Sequence, residues 1–228
     1  MKSIEQLKKL LEDRKTTLKP KTILEDGVIR DTYGTDHPYQ ISQGWDFGCA
    51  IVCDESWQEF NLLILDKIGS SSIEERQSLL DDSSLEDSHW NWLQKHQHCY
   101  DSAYEWFYFI ADNSPQAACL VYYPYLSEGT GRKDIFYIEF LAVAPWNRPN
   151  IISQQKFKGI GTMLLKAVTS FSDNKLKLSK GFSLHSLPKA EGYYEKIGMT
   201  RFLSRDKDGL GYFEMLEKQR DSFLGVAP

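Results

Sequence analysis

The segment IFYIEFLAV, residues 135–143, constrains the fold of this chain more than any other segment. Every position in it is apolar or aromatic except Glu139. A strand with apolar side chains on both faces is typical of a sheet that is covered on both sides. The segment therefore predicts a strand inside a sheet, with other elements packed against each face.

The residues upstream of this strand predict three further elements. Residues 45–53 (WDFGCAIVC) carry apolar side chains at every second position and predict a strand. Residues 55–69 predict a helix that ends at Gly69. Residues 70–88 are acidic and rich in serine, and they predict one short helix with exposed loops.

The residues nearest to the central strand complete the predicted sheet. Residues 104–112 and 117–125 predict two strands on either side of the turn Asn113-Ser114-Pro115. After the central strand, the sequence predicts a helix opened by glycines, a strand, a helix that stops at Gly198, and a hairpin around Asp208-Gly209. This order of elements predicts a mixed α/β sheet.

The domain organisation follows from length and local composition. The chain has 228 residues, which is enough for one domain and an extension. Residues 1–40 are polar and interrupted by glycine and proline, so we predict an N-terminal extension that begins with a short amphipathic helix. Residues 41–228 are predicted to form the domain, and its best-supported core is residues 104–216.

Composition and charge argue against several functional classes. The formal net charge of -5 weighs against a nucleic-acid binder that neutralises many phosphates. No apolar run reaches the roughly 18 residues of a membrane span, and the N-terminus is too charged for a signal peptide. The four cysteines predict reduced thiols, so we expect a cytoplasmic protein.

The segment QKFKGIGTMLLKAV, residues 155–168, places two glycines at the start of a predicted helix. Free N–H groups at a helix start favour an anion, and Lys156 and Lys158 add positive charge. The segment therefore predicts an anion site, with a flexible loop that leads into a packed helix as the alternative. The apolar stripe of this helix consists of Ile160, Met163, Leu164, Ala167, Val168 and Phe171.

Two familiar nucleotide motifs are excluded at this helix. A P-loop requires Gly-Lys-Ser/Thr, whereas Gly161 is followed by Thr162 and Met163. A dinucleotide-binding fingerprint requires a third glycine near Leu164, and none is present there.

Four segments in this order resemble the GNAT superfamily of N-acetyltransferases: YIEFLAVAP, KFKGIG, LHSL and AEGYYEKIGM. KFKGIG is similar to the family's pyrophosphate loop, Arg/Gln-x-x-Gly-x-Gly/Ala, with Lys156 in its first place. AEGYYEKIGM is similar to the family's late helix, Ala-x-x-Phe-Tyr-Glu-Lys-Leu-Gly-Phe. The resemblance covers residues 135–199. It implies an acyl-CoA N-acyltransferase-like fold, a mostly antiparallel sheet with a central splayed parallel strand pair and flanking helices.

The resemblance also implies acetyl-CoA as cosubstrate. The pantetheine arm would bond to the backbone of the central strand in the gap between two parallel strands. The diphosphate would lie on the N–H groups of residues 158–162. The cofactor-binding residues implied in this way are Leu141, Ala142, Val143, Lys156, Lys158, Gly159, Ile160, Gly161 and Thr162.

Two departures from the family pattern affect the predicted site. Residues 146–158 form a longer link than is usual in the family, and Trp146, Asn147 and Arg148 either cover the cofactor, shape the acceptor pocket or pack the loop. Leu187 stands where the family often has an asparagine, which removes one polar contact to the cofactor arm.

Two residues are candidates for catalysis. Tyr194 corresponds to the family's acid, which protonates the departing CoA thiolate. Its spacing with Tyr193 also fits a residue of the core, so that alternative stays open. Glu139 is the candidate base, and by strand alternation it shares a face with Tyr137, Leu141 and Val143. The alternative for Glu139 is a carboxylate paired with a nearby lysine or arginine.

Several other features leave a choice between function and structure. The residues HQHC, 96–99, contain metal-binding side chain types, but no second ligand pair has zinc-site spacing, and we predict no metal. His185 is predicted as a hydrogen-bonded histidine of the sheet, with contact to substrate as the alternative. The acidic residues 73–88 either attract a cationic amine or form a solvated loop.

The sequence thus predicts a GNAT-type acyltransferase that moves an acetyl group from acetyl-CoA to a primary amine by direct attack in a ternary complex. The acceptor is open among a small molecule, a peptide N-terminus, a lysine and an aminoacyl-tRNA, and a nucleic-acid partner is disfavoured by the charge. A homodimer and a role for the N-terminal extension are both left open. The alternatives are a non-catalytic acyl-CoA-binding or sensor module on the same fold, and an interaction domain that holds no cofactor.

Overall fold

The fold is built around one eight-stranded sheet in a computed structural model that describes residues 21–226. The strands are β1 (Thr22–Arg30), β2 (Asp36–Gln43), β3 (Tyr104–Ala111), β4 (Ser114–Leu126), β5 (Asp134–Val143), β6 (Phe182–Ser186), β7 (Thr200–Arg201) and β8 (Gly211–Met215). They lie in the order β1-β2-β3-β4-β5-β6-β8-β7. Neighbouring strands are antiparallel except β5 and β6, which are parallel. The predicted fold class is therefore confirmed.

Helices cover both faces of this sheet. They are α1 (Phe47–Gly69), α2 (Ile73–Asp82), α3 (Trp92–His98), α4 (Ile160–Lys175), α5 (Glu191–Lys196) and α6 (Glu217–Leu224). Apolar residues of α1 and α3 pack in one buried cluster, and those of α4, α5 and α6 pack in another. We call the two sides of the sheet the α1 face and the α4 face. None of the helices in residues 21–226 has the length and apolar character needed to span a membrane.

The strand predicted for residues 45–53 is wrong, because most of this segment forms the first two turns of α1. Asp46 caps the helix by accepting a hydrogen bond from the backbone N of Cys49 at 2.9 Å. The buried residues Cys49, Cys53 and Trp57 recur every four positions, which is a helical spacing. Over so short a segment the apolar positions fit both periods, and the helix predicted as far as Gly69 simply begins earlier.

The predicted boundary at residue 40 lies inside β2, so the sheet includes part of the predicted extension. β1 pairs with β2, and β2 pairs with β3. Most side chains of β1 are exposed because it is an edge strand, and this explains why its sequence reads as polar. Residues 1–20, which contain the predicted amphipathic helix, lie outside the described residues.

Most of the remaining predicted elements are confirmed, with small shifts. The turn between β3 and β4 is formed by Asp112 and Asn113, which both have positive φ, as in a two-residue hairpin turn. Pro115 therefore lies in β4 rather than in the turn. The last hairpin turns at Asp208 and Gly209 as predicted, and α6 follows it without a counterpart among the predicted elements.

A β-bulge interrupts β5 at Glu139. Leu120 of β4 lies opposite Phe140, and Val121 lies opposite Ile138, so Glu139 has no partner on β4. An extra residue of this kind shifts the alternation of every side chain that follows it.

The bulge decides which side chains of β5 meet each helix layer. Leu141 and Val143 pack on the α4 face, whereas Phe140 and Ala142 pack on the α1 face. The prediction that Glu139 shares a face with Leu141 and Val143 is therefore wrong, because strict alternation does not hold across a bulge.

Glu214 connects β8 to the turn between β4 and β5. Its side chain is fully buried. Its carboxylate accepts hydrogen bonds from Ser127 Oγ at 2.9 Å, Glu128 N at 2.7 Å, Gly129 N at 2.9 Å and Tyr212 OH at 2.7 Å. The carboxylate thus holds the β4–β5 connection against β8.

We expect Glu214→Ala to lower the free energy of unfolding by about 3 kcal/mol, because it leaves buried donors without an acceptor. Glu217→Ala is the control, since Glu217 is a glutamate of α6 with 63% of its side chain exposed. Its effect should stay below about 0.5 kcal/mol. Urea denaturation followed by circular dichroism measures both values, and equal effects would contradict the assigned role of Glu214.

Candidate active site

A cleft opens where β5 and β6 separate. The two strands pair at three positions, the last of which joins Ile138 to Leu184. Beyond this point β6 continues along β8 as far as Ser186, and β5 continues along β4 as far as Val143. The gap between them belongs to a cleft of about 320 Å³.

The cleft brings together every predicted cofactor-binding residue except the two lysines. Its walls come from the end of β5, the start of α4, the segment before α5, and α5 itself. Leu187, which replaces the family's asparagine, also lines it. The predicted residues among the lining are Leu141, Ala142, Val143, Gly159, Ile160, Gly161 and Thr162.

The start of α4 presents backbone N–H groups to this cleft. Gly159 precedes the helix with φ of 77°, a left-handed conformation that glycine adopts without strain. The backbone N of Met163 donates to Gly159 O at 3.0 Å, and the N–H groups of the residues before it have no acceptor one turn back in the helix. A Cβ atom on Gly161 would lie 3.1 Å from Val143 Cγ2. The helix start therefore lies very close to β5.

The side chains of Lys156 and Lys158 do not line the cleft. Lys156 forms an ion pair with Asp112 at the β3–β4 turn, and this interaction lowers the pKa of the Asp112 carboxyl. The backbone N of Lys156 donates to Trp146 O at 3.1 Å. Lys158 is exposed. Neither lysine side chain therefore lines the cleft at the start of α4.

Tyr194 of α5 is both a core residue and a cleft residue. It is 7% exposed, and its ring lies 6.1 Å from that of Phe213 between centroids. Burial raises the pKa of its hydroxyl well above the ordinary value, so the phenol stays protonated at neutral pH. The two alternatives for this residue are compatible, because the same tyrosine packs in the core and lines the cleft.

Tyr193, its neighbour, connects the two sides of the cleft. Its hydroxyl and that of Thr162 are 2.9 Å apart and share a hydrogen bond. Thr162 lies in the first turn of α4, so this bond joins α5 to α4. The sequence gives no signal for the pair, because its members are 31 positions apart.

Glu139 lies at the bulge on the α1 face, beside a polar cluster. Its side chain is exposed, but desolvation by the surrounding protein raises the pKa of its carboxyl, and the charges of Lys207 and Lys95 partly offset this rise. Next to it, Tyr137 OH donates to His185 Nδ1 at 2.8 Å, and His185 Nε2 donates to the backbone O of Arg205 at 2.9 Å. His185 is thus hydrogen-bonded in the sheet, as predicted.

Residues 84–87, in the acidic segment after α2, form a wall of the cleft. No local pattern in the sequence predicts this position. Ser84, Glu86 and Asp87 line the cleft, so this part of the segment is not a solvated loop. Asp87 is buried and forms an ion pair with Arg148 at 2.6 Å. Arg148 also lines the cleft and so shapes it. Serine-rich sequence carries no periodicity, and only tertiary packing reveals this contact.

Lys189 holds the segment in place. Its Nζ donates to three backbone carbonyl oxygens at the end of α2, those of Leu80 at 3.2 Å, Asp81 at 2.8 Å and Ser83 at 2.8 Å. A lysine at this end of a helix satisfies carbonyl groups that lack intrahelical partners. The backbone N of Lys189 also donates to Glu86 Oε2 at 3.3 Å.

Gln116 of β4 fixes the long link between β5 and α4. It is 2% exposed, and its side-chain oxygen accepts hydrogen bonds from Trp146 Nε1 and Asn147 Nδ2, each at 2.8 Å. Asn147 Oδ1 in turn accepts from the backbone N of Phe157 at 3.0 Å. Of the three alternatives for this link, Trp146 therefore supports loop packing, whereas Asn147 both packs the loop and lines the cleft.

The metal hypothesis for residues 96–99 has no support in the geometry. His96 is buried and stacks on Trp45 with 3.7 Å between ring centroids. Within residues 21–226, no three His, Cys, Asp or Glu side chains are grouped so that they could hold a metal ion.

Neither a protein-family model nor a curated protein matches this sequence. Among solved structures, an uncharacterised protein from Bacillus halodurans is similar at 11% identity over 90% of this chain and 96% of that chain, with a TM-score of 0.51. The N-acetyltransferase PaiA from Thermoplasma acidophilum, solved with coenzyme A, has 14% identity over 77% and 98% and a TM-score of 0.44. The GNAT domain of PAT from S. lividans has 13% identity over 83% and 96% and a TM-score of 0.46. At these identities the likeness concerns the fold.

We expect Gln116→Ala to loosen the link across residues 145–157, because one buried and one partly buried donor lose their acceptor. Hydrogen–deuterium exchange should rise there by about tenfold or more, which corresponds to roughly 1.4 kcal/mol. Gln40→Ala is the control, since Gln40 is exposed on β2. An unchanged exchange rate in the link would contradict this role of Gln116.

Proposed function

We propose that this chain, which has the fold of the GNAT superfamily, is an N-acetyltransferase that uses acetyl-CoA. The observation that carries the proposal is the gap between β5 and β6, which leads to the start of α4. A strand edge released from pairing offers backbone groups to an amide-bearing arm, and a helix start offers N–H groups to a diphosphate. Acetyl-CoA carries both chemical groups in this order, the amides of the pantetheine arm followed by the diphosphate.

The residues that would hold the cofactor follow from this placement. The backbone of Leu141, Ala142 and Val143 would bond to the pantetheine arm. The N–H groups of residues 159–162 would bind the diphosphate, and Gly161 would let it approach the backbone. Lys156 and Lys158 would contribute only through longer-range charge, since their side chains do not line the cleft.

We expect acetyl-CoA to bind the parent protein, and we expect Gly161→Asp to weaken binding by at least about 100-fold. An added carboxylate at a helix start repels a diphosphate, and its Cβ atom also crowds Val143. Isothermal titration calorimetry of the full chain measures both dissociation constants.

Two variants separate charge from crowding in this experiment. Gly161→Ala adds only the Cβ atom and should weaken binding less than Gly161→Asp. Gly192→Asp adds the same charge at an exposed glycine of α5, where a Cβ atom meets no other atom within 4 Å. It should leave binding within about threefold of the parent. A parent that does not bind acetyl-CoA would refute the proposed function.

The proposed chemistry is direct attack of a primary amine on the thioester within a ternary complex. The nitrogen forms a bond to the carbonyl carbon as the carbon–sulfur bond breaks. Glu139 would accept the proton that the amine must lose, directly or through water, and its raised pKa suits that task. Tyr194, protonated at neutral pH, would give a proton to the CoA thiolate. The identity of the acceptor amine is the object of a screen that follows the binding experiment.

We expect kcat/KM to rise with pH through the ionisation of Glu139, because only the carboxylate accepts a proton. Because desolvation raises this pKa, kcat/KM should rise at a pH above about 4.3, the ordinary pKa of a glutamate side chain. In Glu139→Gln that limb of the profile should vanish and kcat/KM should fall by about 100-fold. The pH profiles are measured from the release of CoA thiol with an amine found in the screen. If kcat/KM of Glu139→Gln still rises with pH in the same range, Glu139 is excluded as the base.

A non-catalytic acyl-CoA sensor on the same fold is the second candidate. The burial of Tyr194 among Tyr193 and Phe213 favours it, because a tyrosine of the core needs no catalytic role. Such a sensor would bind acetyl-CoA without turnover of any amine, and Tyr194→Phe would change neither property. For an enzyme, Tyr194→Phe should lower kcat while the dissociation constant of acetyl-CoA stays the same.

A further inference from the structure

Lys95 of α3 has an unusual environment for a lysine. Its Nζ lies 3.1 Å from the ring centroid of Phe140 and 4.8 Å from that of Trp90. Cations bind favourably to aromatic faces at such distances. Among residues 21–226, Lys95 forms no ion pair. Burial lowers the pKa of its amine to about 8, even though nearby acidic groups oppose this change.

This amine lies on the α1 face, over a residue of β5 that is adjacent to residues of the cleft. Phe140, over which it lies, is flanked in β5 by Glu139 and by the cleft residue Leu141. Phe140 and Trp90 pack in the same cluster as Ala142, which lines the cleft. The charge of Lys95 also lowers the pKa of Glu139, so the two groups interact electrostatically.

A fixed element holds Lys95 in this position. α3 begins at Trp92, which is 2% exposed, and the Asp54 carboxylate of α1 accepts hydrogen bonds from Trp92 N at 2.6 Å and Leu93 N at 3.0 Å. The carboxylate thus satisfies free N–H groups at the start of α3. Lys95 is one helical turn further along the same helix.

A simpler interpretation is that Lys95 only covers apolar surface with its aliphatic chain. A lysine of that kind extends its ammonium group into water and keeps an ordinary pKa. Here the ammonium group itself lies over the Phe140 ring, and its pKa is lowered. Desolvation of this kind is what makes a lysine amine a nucleophile near neutral pH.

We propose that Lys95 is a self-acylation site, which takes the acyl group from an acyl-CoA bound in the cleft. This inference rests on the proposed function, because the cleft must first bind the thioester. The neutral Nζ forms a bond to the thioester carbonyl carbon, and the carbon–sulfur bond breaks. The nitrogen loses one proton to Glu139 or to water, and the CoA thiolate gains one. The products are N-acyl-Lys95 and CoA thiol.

Acylation of Lys95 would alter the proposed base. It removes a positive charge that now lowers the pKa of Glu139, so that pKa should rise further. Desolvation and the charge of Lys207 from the last hairpin would then set the ionisation of Glu139. Tyr137 from β5, Cys99 at the end of α3 and Tyr104 at the start of β3 also interact with Glu139, whose charge, together with desolvation, raises their pKa values and keeps them neutral.

The test is incubation of the full chain with acetyl-CoA at pH 7.5, followed by peptide mass spectrometry over time. We expect Lys95 to be acetylated at least about tenfold faster than Lys207, because at this pH its neutral fraction exceeds that of an ordinary lysine by roughly 100-fold. Lys207 is the matched control, since it is exposed and also acts on Glu139. The rate per molecule should not change with a tenfold dilution of the protein.

Two further arms separate reaction in the cleft from chemical acetylation. In Gly161→Asp, acetyl-CoA should no longer acetylate Lys95, whereas the N-hydroxysuccinimide ester of acetic acid, which needs no cofactor site, should still do so. Persistence of the acetyl-CoA reaction in this variant, or equal rates at Lys95 and Lys207, would overturn the inference. Binding of acetyl-CoA without acetylation of Lys95 would overturn it and leave the proposed function intact. Absence of binding would overturn both.

Discussion

The separation of β5 from β6 after Ile138 is the constraint on which the rest of the site depends. A strand edge inside a covered sheet has backbone groups that require partners, and burial without them is costly. β6 stays paired with β8 and β5 stays paired with β4, so the edge of β5 that β6 leaves faces the cleft. The start of α4 meets the same cleft, so two sets of backbone groups converge there. Such a convergence favours a ligand with both amide and anionic groups.

The bulge at Glu139 gives the two faces of β5 different side chains. Beyond it, Leu141 and Val143 contact the helices of the α4 face, and Phe140 turns toward Lys95 and Trp90 on the α1 face. Without the extra residue, a carboxylate and an aliphatic wall would share one side of the sheet. With it, Leu141 and Val143 lie on the side of α4, and Glu139 lies with Phe140 on the side of Lys95.

Local patterns in the sequence predicted the central strand, the glycine-opened helix and the last hairpin, because their signals lie within a few residues of one another. Residues 45–53 were misassigned because a segment of nine residues is too short to distinguish apolar side chains at every second position from apolar side chains at every fourth position. β1 was missed because an edge strand buries too little to show a pattern. In the site, the backbone residues of β5 and α4 were predictable from motifs. The ion pair of Asp87 with Arg148 and the hydrogen bond of Tyr193 with Thr162 were not, since each joins distant parts of the chain.

The contact of Lys189 with three carbonyl oxygens has a consequence for the route of ligands. The wall formed by Ser84, Glu86 and Asp87 is attached through Lys189 to the segment between β6 and α5, so it does not swing away as an independent flap. We therefore expect this side of the cleft to stay shut during turnover. Under the proposed function, the cofactor would therefore enter past α4 rather than past this wall.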